Sequence, residues 1–523
     1  MDTSKADARR SPLHTSGSVA PQPARTYDAL RSDAWRSPLH TSGSVASQPA
    51  RSSDSSAPKS GAWRNPLHTS GPVAVAPARP DLSPAKGTGW RGPRHTPESV
   101  AELGVRQFIV EDLLLKILYV SSPLSLRELA EQTHLSFGVV NELLRRMRAE
   151  QLCELKGMTG NMPNIAITSL GRSRAAELLS ASQYTGPAPV SLENYLQQVR
   201  EQSVRHLEVH APAIEQAFAH LVLDATVLDQ LGTALNSGSS IFLYGPSGTG
   251  KSTVAAALAQ VLADDEVWIP YAVEVEGQII TVYDSQTHKR IGDSVSHVGD
   301  ARWVPCQRPT VLVGGELTIE MLELQFNPVS KYYTAPVQMK ANNGILIIDD
   351  FGRQRLRPEE LLNRWIVPLD RRIDFLTLAG GKKVEIPFDP CVVFATNLNP
   401  ATLADEAFLR RIQTKIQLGA VSEQQFHAIF HAVCSTCGLQ CDGGTINELI
   451  TVIRNDLKEP LRACHPGDLV NQVCWRARYQ QTPPCLDRDA LLAAAKSYFL
   501  STPQNNGQNN DEAPGILNSD VRK

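Results

Sequence analysis

Ile241-Phe-Leu-Tyr-Gly-Pro-Ser-Gly-Thr-Gly-Lys-Ser252 decides the reading of this chain. Four apolar residues give the pattern of a short buried strand. The next eight fit G-x-x-x-x-G-K-[ST]. From Ser252 to Ala263 a helical pattern follows, with Val254, Ala257, Leu258, Val261 and Leu262 on one face. Strand, glycine-rich turn and helix in that order are the context a phosphate-binding loop requires. Gly245, Gly248 and Gly250 let successive backbone N–H groups converge on phosphate oxygens, between Pro246, Ser247 and Thr249. The helix start, through Thr253, adds the positive end of its dipole. Lys251 is placed to reach the β- and γ-phosphates, and the Ser252 hydroxyl to ligate Mg²⁺.

Two further strands extend this core. Gly344-Ile-Leu-Ile-Ile-Asp-Asp350 is an apolar run ending in two carboxylates, the form of a buried parallel strand that delivers acids at its C-terminal end. Asp349 is expected to hold the metal and Asp350 to polarise the attacking water. Cys391-Val-Val-Phe-Ala395 leads to Thr396 and Asn397, whose side chain can orient that water. Phe408-Leu-Arg-Arg-Ile412 then sets Arg410 and Arg411 just before another strand candidate, Thr414 to Leu418. Either arginine can serve as a finger that stabilises transition-state charge.

This order of motifs resembles the AAA+ ATPases over about residues 210 to 500. The resemblance implies an α/β fold, a parallel sheet followed by a helical lid, with ATP and Mg²⁺ as cofactors. It makes Gly245–Ser252 the Walker A loop, Asp349–Asp350 the Walker B acids and Asn397 sensor 1. It also implies a homo-oligomeric ring, commonly a hexamer in that family, in which Arg410 or Arg411 acts on a neighbour's ATP. The chain departs from the family in three places. Asp350 stands where Glu is usual. Gly467 stands about where the lid's sensor 2 arginine is expected, leaving Arg462, Arg476 and Arg478 as alternatives. The stretch between Lys251 and Asp349 is long. The last implies a β-rich insertion at about 270–325, including a hairpin from Tyr271 to Tyr283 around Gly277. A second hairpin is expected from Phe375 to Ile386, turning at Gly380 and Gly381.

The rest of the chain divides around this body. Residues 1–103 are rich in Ser, Pro, Ala, Arg and Gly, nearly devoid of Ile, Phe and Leu, and read as a disordered tail. The tail repeats itself: RRSPLHTSGSVA from Arg9, WRSPLHTSGSVA from Trp35, WRNPLHTSGPVA from Trp63 and WRGPRHTPESVA from Trp90. These units lack the apolar content that stacked repeats need. They read as tandem docking motifs or as a duplicated linker. Residues 104–185 read as a winged helix-turn-helix domain. Its first helix has apolar residues at 110, 113, 114, 117 and 118. Ser125-Leu-Arg-Glu128 forms a capping box, a third helix runs from about Ser136 to Glu150, and a hairpin turning at Gly160 and Asn161 precedes a fourth helix. The ATPase core is expected at 191–418, the lid at 419–502 and a polar tail at 503–523.

Composition bounds the partners. Net charge is −3, while residues 1–100 hold 13 Lys and Arg against 7 Asp and Glu. DNA is a possible partner through the winged helix, although the start of its third helix, Ser136, Phe137, Gly138 and Asn141, is not strongly basic. A protein client is the other expectation, and a nucleotide-gated scaffold with little hydrolysis a third. Nine cysteines, mostly single, suggest a reducing compartment. His431, Cys434, Cys437 and Cys441 lack a second matching pair and read as structural. No apolar run is long enough to span a membrane, and no secretory leader is evident, so the expected location is cytoplasmic.

Overall fold

The computed structural model describes residues 92–159, 162–263, 265–292, 299–403 and 406–499. The first three repeats, the Gly160–Asn161 turn and the C-terminal tail lie outside the described residues. Helix α1 (Gln107–Ser121) is followed by strand β1 (Leu124–Ser125), α2 (Leu126–Thr133), α3 (Phe137–Ala149), β2 (Cys153–Thr159), β3 (Met162–Ile167) and α4 (Ser169–Ala181). The strands form an antiparallel sheet in the order β1-β3-β2. Ser125 and Glu128 close the expected capping box on α2, and the Ser136 hydroxyl caps α3 by accepting the Val139 N–H. Val110, Leu113, Leu114, Ile117 and Leu118 of α1 are all buried, together with Val140, Leu143 and Met147 of α3.

Residues 92–103, read above as the end of the tail, pack onto this body, with Pro93, Pro97, Val100 and Leu103 buried. A buried ion pair holds them. Arg302 is fully buried and grips the Asp300 carboxylate through Nε at 2.9 Å and Nη2 at 2.7 Å. Its Nη1 donates to the Leu103 and Pro189 carbonyls, both at 3.2 Å. One guanidinium thus ties the segment entering α1 to the one leaving α4, which is why neither end swings free.

Beyond the linker come β4 (Val190–Ser191), α5 (Leu192–Glu201), α6 (Ala211–Phe218), α7 (Ala225–Ser237), β5 (Ile241–Tyr244) and α8 (Lys251–Val261). Then follow β6 (Glu266–Pro270), β7 (Ala272–Val275), β8 (Gln278–Thr281), β9 (Trp303–Gln307), β10 (Thr310–Val313), β11 (Gln325–Phe326), β12 (Tyr333–Thr334), α9 (Val337–Lys340) and β13 (Ile345–Ile348). The body ends with α10 (Pro358–Arg364), α11 (Ile366–Arg371), β14 (Ile373–Thr377), β15 (Lys383–Pro387), β16 (Cys391–Thr396), α12 (Pro400–Leu403), α13 (Glu406–Leu409) and β17 (Thr414–Gln417).

The central sheet has the order β10-β13-β16-β5-β17, and every pairing in it is parallel. Strand alternation splits its side chains between two cores. Ile241, Leu243, Ile345, Ile347 and Val393 face α6, α7 and α8. Phe242, Leu346, Ile348, Val392 and Phe394 face Leu361, Trp365 and Phe388. Burial on both faces explains why these strands read as unbroken apolar runs.

The stretch expected as one insertion, about 270–325, contains β10, which pairs with β13 as an edge of the central sheet. Extra β structure therefore falls on both sides of β10. The β6–β9 ribbon and the β7–β8 hairpin precede it, and β11 and β12 follow it. The hairpin turns at Glu276 and Gly277, both with positive φ. The β14–β15 hairpin forms as expected, with Gly381 at φ +78°. The C-terminal helices are α14 (Glu423–Cys437), α15 (Gly443–Thr451), α16 (Cys464–Gln480) and α17 (Arg488–Tyr498), packed around Phe426, Phe430, Leu469 and Leu491. Among the described residues, no helix is long and apolar enough to cross a membrane.

Candidate functional site

The central sheet brings the candidate loops together. Strand β5 leads into Gly245, β13 into Asp349 and β16, which lies between them, into Asn397. All three strands run parallel, so all three loops leave the same edge.

The loop after β5 needs its glycines for separate reasons. Gly245 has φ +146°, and a methyl group there would lie 2.0 Å from the Leu418 carbonyl oxygen. Gly248 has φ +77°, and its methyl would lie 2.4 Å from Cys464 Sγ. Gly250, at φ +89°, is the N-cap of α8, with open space around it. Left-handed backbone at Gly248 and Gly250 turns the loop so that α8 starts abruptly at Lys251. The Thr249 hydroxyl donates to the Pro246 carbonyl at 3.0 Å and closes the turn. Lys251 Nζ donates to the carbonyls of Gly245, at 3.0 Å, and Pro246, at 2.7 Å. Burial pulls its ammonium below the ordinary value, while Asp349 and Asp350 push it back up. That coupling places both acids in the field of Lys251. Ser252 and Thr253 are exposed on the first turn of α8.

Asp349 is half-buried, and its backbone N–H donates to the Val313 carbonyl at 2.9 Å. Gln354 Nε2 holds the Asp349 carbonyl at 2.7 Å, and the Asp350 N–H donates to Asp349 Oδ1 at 2.9 Å. Asp350 is exposed, with φ +50°, an uncommon conformation outside glycine. Ser252 and Asp349 line one cleft of about 380 Å³, together with Thr287, Lys289 and Arg308. A hydroxyl and a carboxylate on one cleft suit Mg²⁺, which takes few protein ligands and completes its shell with water and phosphate oxygens. Asn397 Oδ1 is buried and, among the described residues, accepts no hydrogen bond. A buried amide oxygen without a donor is costly and marks a place where a donor belongs.

The two arginines at the end of α13 differ. Arg411 is half-buried and pairs with Asp370 through Nε at 2.8 Å. Arg410 is exposed.

The C-terminal helices close the other side of the loop, and here the sequence had left a choice. The N–H of Cys464, at the head of α16, donates to the Gly248 carbonyl at 3.0 Å. Arg462 lies beside it, with Cδ 3.7 Å from where a Gly248 methyl would stand. Its Nη2 donates to Glu459 at 3.0 Å, and its Nε is buried without a partner among the described residues. Arg476 and Arg478 are exposed on later turns of α16, and Gly467 faces open space. Arg462 is therefore the one of the three beside the loop. Cys464 had escaped notice because its role comes from a contact across more than two hundred residues, with no local signature.

The first turn of α3 is covered by the chain at 97–100. The Ser136 hydroxyl donates to the Pro97 carbonyl at 2.8 Å, and the Val100 N–H donates to Glu142 at 3.3 Å. That turn is where a helix-turn-helix reader makes its base contacts. Arg146 of the same helix pairs with Glu111 at 3.2 Å, while Arg145 and Arg148 line an open cleft with Glu154. Among the described residues, no group of three or more His, Cys, Asp or Glu side chains is arranged to hold a metal ion.

Residues 422–497, which span α14 to α17, match a family model described as a domain of unknown function, DUF8689. No curated protein matches the chain. Among solved structures, it is similar to NtrX from Brucella abortus in complex with ADP, at 16% identity and a TM-score of 0.35, over 64% of this chain and 68% of that one. The RuvB Holliday junction branch migration motor of Thermotoga maritima is similar at 14% identity and a TM-score of 0.31, over 53% and 69%. Domain III of the Thermotoga maritima replication initiation protein DnaA is similar at 12% identity and a TM-score of 0.32, over 55% and 97%.

Proposed function

We propose that this chain binds Mg²⁺–ATP at Gly245–Ser252 and hydrolyses it as an AAA+-type ATPase that works as an assembly of several copies. The observation that carries this is the convergence of Gly245–Ser252, Asp349 and Asn397 at one edge of a parallel sheet, with β16 between β5 and β13. Loop and helix N–H groups cradle the phosphates. Lys251 exchanges its two carbonyl partners for phosphate oxygens. Ser252 and Asp349 hold Mg²⁺, which supplies positive charge against the phosphate oxygens. Asp350 and Asn397 Oδ1, which has no partner among the described residues, orient the attacking water. Arg462 reaches the nucleotide from the α14–α17 lid. Arg410, exposed where Arg411 is paired, is the finger offered to a neighbouring copy.

The α1–α4 module is read as a winged helix that selects a protein client. Coverage of the first turn of α3 favours that over duplex DNA. The conformation of Asp350, on a side chain one methylene shorter than Glu, favours slow turnover and keeps a nucleotide-gated scaffold as the second reading. Mg²⁺-dependent ATP hydrolysis, measured per chain across a protein concentration series, tests the proposal. Activity that rises with concentration and falls in Arg410→Ala supports a shared site. Activity per chain that is flat with concentration and unchanged in Arg410→Ala removes it.

A further inference from the structure

The fourth copy of the N-terminal repeat is docked. From Gly92 to Ala101 it lies in a groove between the Gly299–Ala301 loop and the first turn of α3. Pro93 is buried, and its carbonyl accepts the Asp300 N–H at 2.8 Å. Gly299 has φ +142°, and a methyl there would lie 2.4 Å from the Pro93 carbonyl oxygen, so the groove admits the chain only because this wall has no side chain. The Thr96 hydroxyl donates to the Gly299 carbonyl at 2.8 Å. Pro97 and Val100 make the backbone bonds to Ser136 and Glu142, and the Val100 side chain is buried in the α1–α4 core.

Three of the four positions that make this contact by burial or by a side-chain bond are ones the copies share. Pro93, Thr96 and Val100 correspond to Pro12, Thr15 and Val19, to Pro38, Thr41 and Val45, and to Pro66, Thr69 and Val73. Of the positions that vary, Pro97 is the buried one. Arg94 and Glu98 are exposed where the other copies have Leu and Gly. Pro97 is Ser elsewhere, but its bond is made by a carbonyl that any residue supplies.

We propose that this groove is a receptor for the repeat, and that the three upstream copies dock into it on other copies of this chain, in exchange with the resident fourth copy. An incoming segment remakes the bonds it displaces, so exchange between chains is the low-cost route known for swapped elements. The copies begin 26, 28 and 27 residues apart, so neighbouring copies can be at most roughly 90 Å apart, enough to bridge adjacent molecules. Repetition multiplies the chance that a vacated groove is filled. None of the bonds described in the groove involves Gly245–Ser252, Asp349 or Asn397.

The test is photo-crosslinking in the full chain. A photo-reactive residue is placed at His40, beside Thr41, and light and heavy isotope-labelled chains are mixed before irradiation and mass spectrometry. Heavy–light crosslinks into Gly299–Arg302 and Ser136–Glu142 are expected. They should fall roughly tenfold when Pro38, Thr41 and Val45 are replaced by Ser, and rise when Thr96→Ala loosens the resident copy. Crosslinks confined to single chains, spread over the surface without regard to the replacements, or absent altogether overturn the proposal.

Discussion

The backbone N–H of Cys464 donates to the carbonyl of Gly248 at 3.0 Å, and Cys464 Sγ fills the space that a side chain on Gly248 would need. The C-terminal helices are thereby joined to the Gly245–Ser252 loop by a main-chain bond. Gly248→Ala meets both the clash and the left-handed backbone, the latter worth about 1–2 kcal/mol. It is expected to lose ATP affinity more severely than Gly250→Ala, where φ is also positive but nothing stands within 4 Å. Adding Cys464→Ala should recover part of the Gly248→Ala loss and none of the Gly250→Ala loss. Nucleotide titration of the four variants checks this.

Among the described residues, Arg462 Nε is buried without a partner beside the same loop. Hydrogen bonds to charged groups contribute about 1.5–3 kcal/mol. Arg462→Ala should therefore weaken ATP binding or turnover roughly tenfold or more. Arg476→Ala and Arg478→Ala, on exposed turns of α16, should leave both within about twofold of wild type on the usual scale of surface substitutions.

Asp350→Asn should keep ATP binding while hydrolysis falls about 10²-fold or more, the usual worth of a positioned general base. Asp349→Ala should instead abolish the Mg²⁺ dependence of binding. Binding measured with and without Mg²⁺, beside steady-state turnover, separates the two roles.

His465 is buried against Phe499, and burial, reinforced by Arg462, lowers its pKa to about 4. In the unfolded chain it titrates near 6.5. Above that, both states are neutral and the group adds no pH dependence. Between about 6.5 and 4 only the unfolded state takes up the proton, so stability falls as pH falls, by at most about 1.4 kcal/mol per unit. Urea unfolding between pH 7 and 4.5 should show this slope, reduced in His465→Gln.

Arg302 and Asp300 are a fully buried pair, and removing one partner of such a pair costs about 3–5 kcal/mol. Arg302→Met should release the segment before α1, so limited proteolysis should cut between Gly92 and Arg106 well before the α1–α4 module is lost.

Much of this was legible in the sequence because it is local. The turn from β5 into α8, the Ser125–Glu128 box and the hairpins at Gly277 and Gly381 are each specified by residues a few positions apart. Strand β10 was not, since four residues with Thr310 and Leu312 exposed do not resemble the buried strands beside them. The order in residues 92–103 was hidden for another reason. Pro93 and Val100 are buried by residues 136–142 and 299–301, and composition says nothing about so distant a groove. Asp349 and Asn397 were readable at the ends of apolar runs, whereas the choice of Arg462 required the fold of the C-terminal helices.

The most direct measurement is Mg²⁺-dependent ATP hydrolysis by the full chain beside Lys251→Ala, at equal concentration and with folding of both checked by circular dichroism. The account predicts turnover by the wild type that vanishes without Mg²⁺ and falls to background in Lys251→Ala. Wild-type turnover indistinguishable from Lys251→Ala would contradict it.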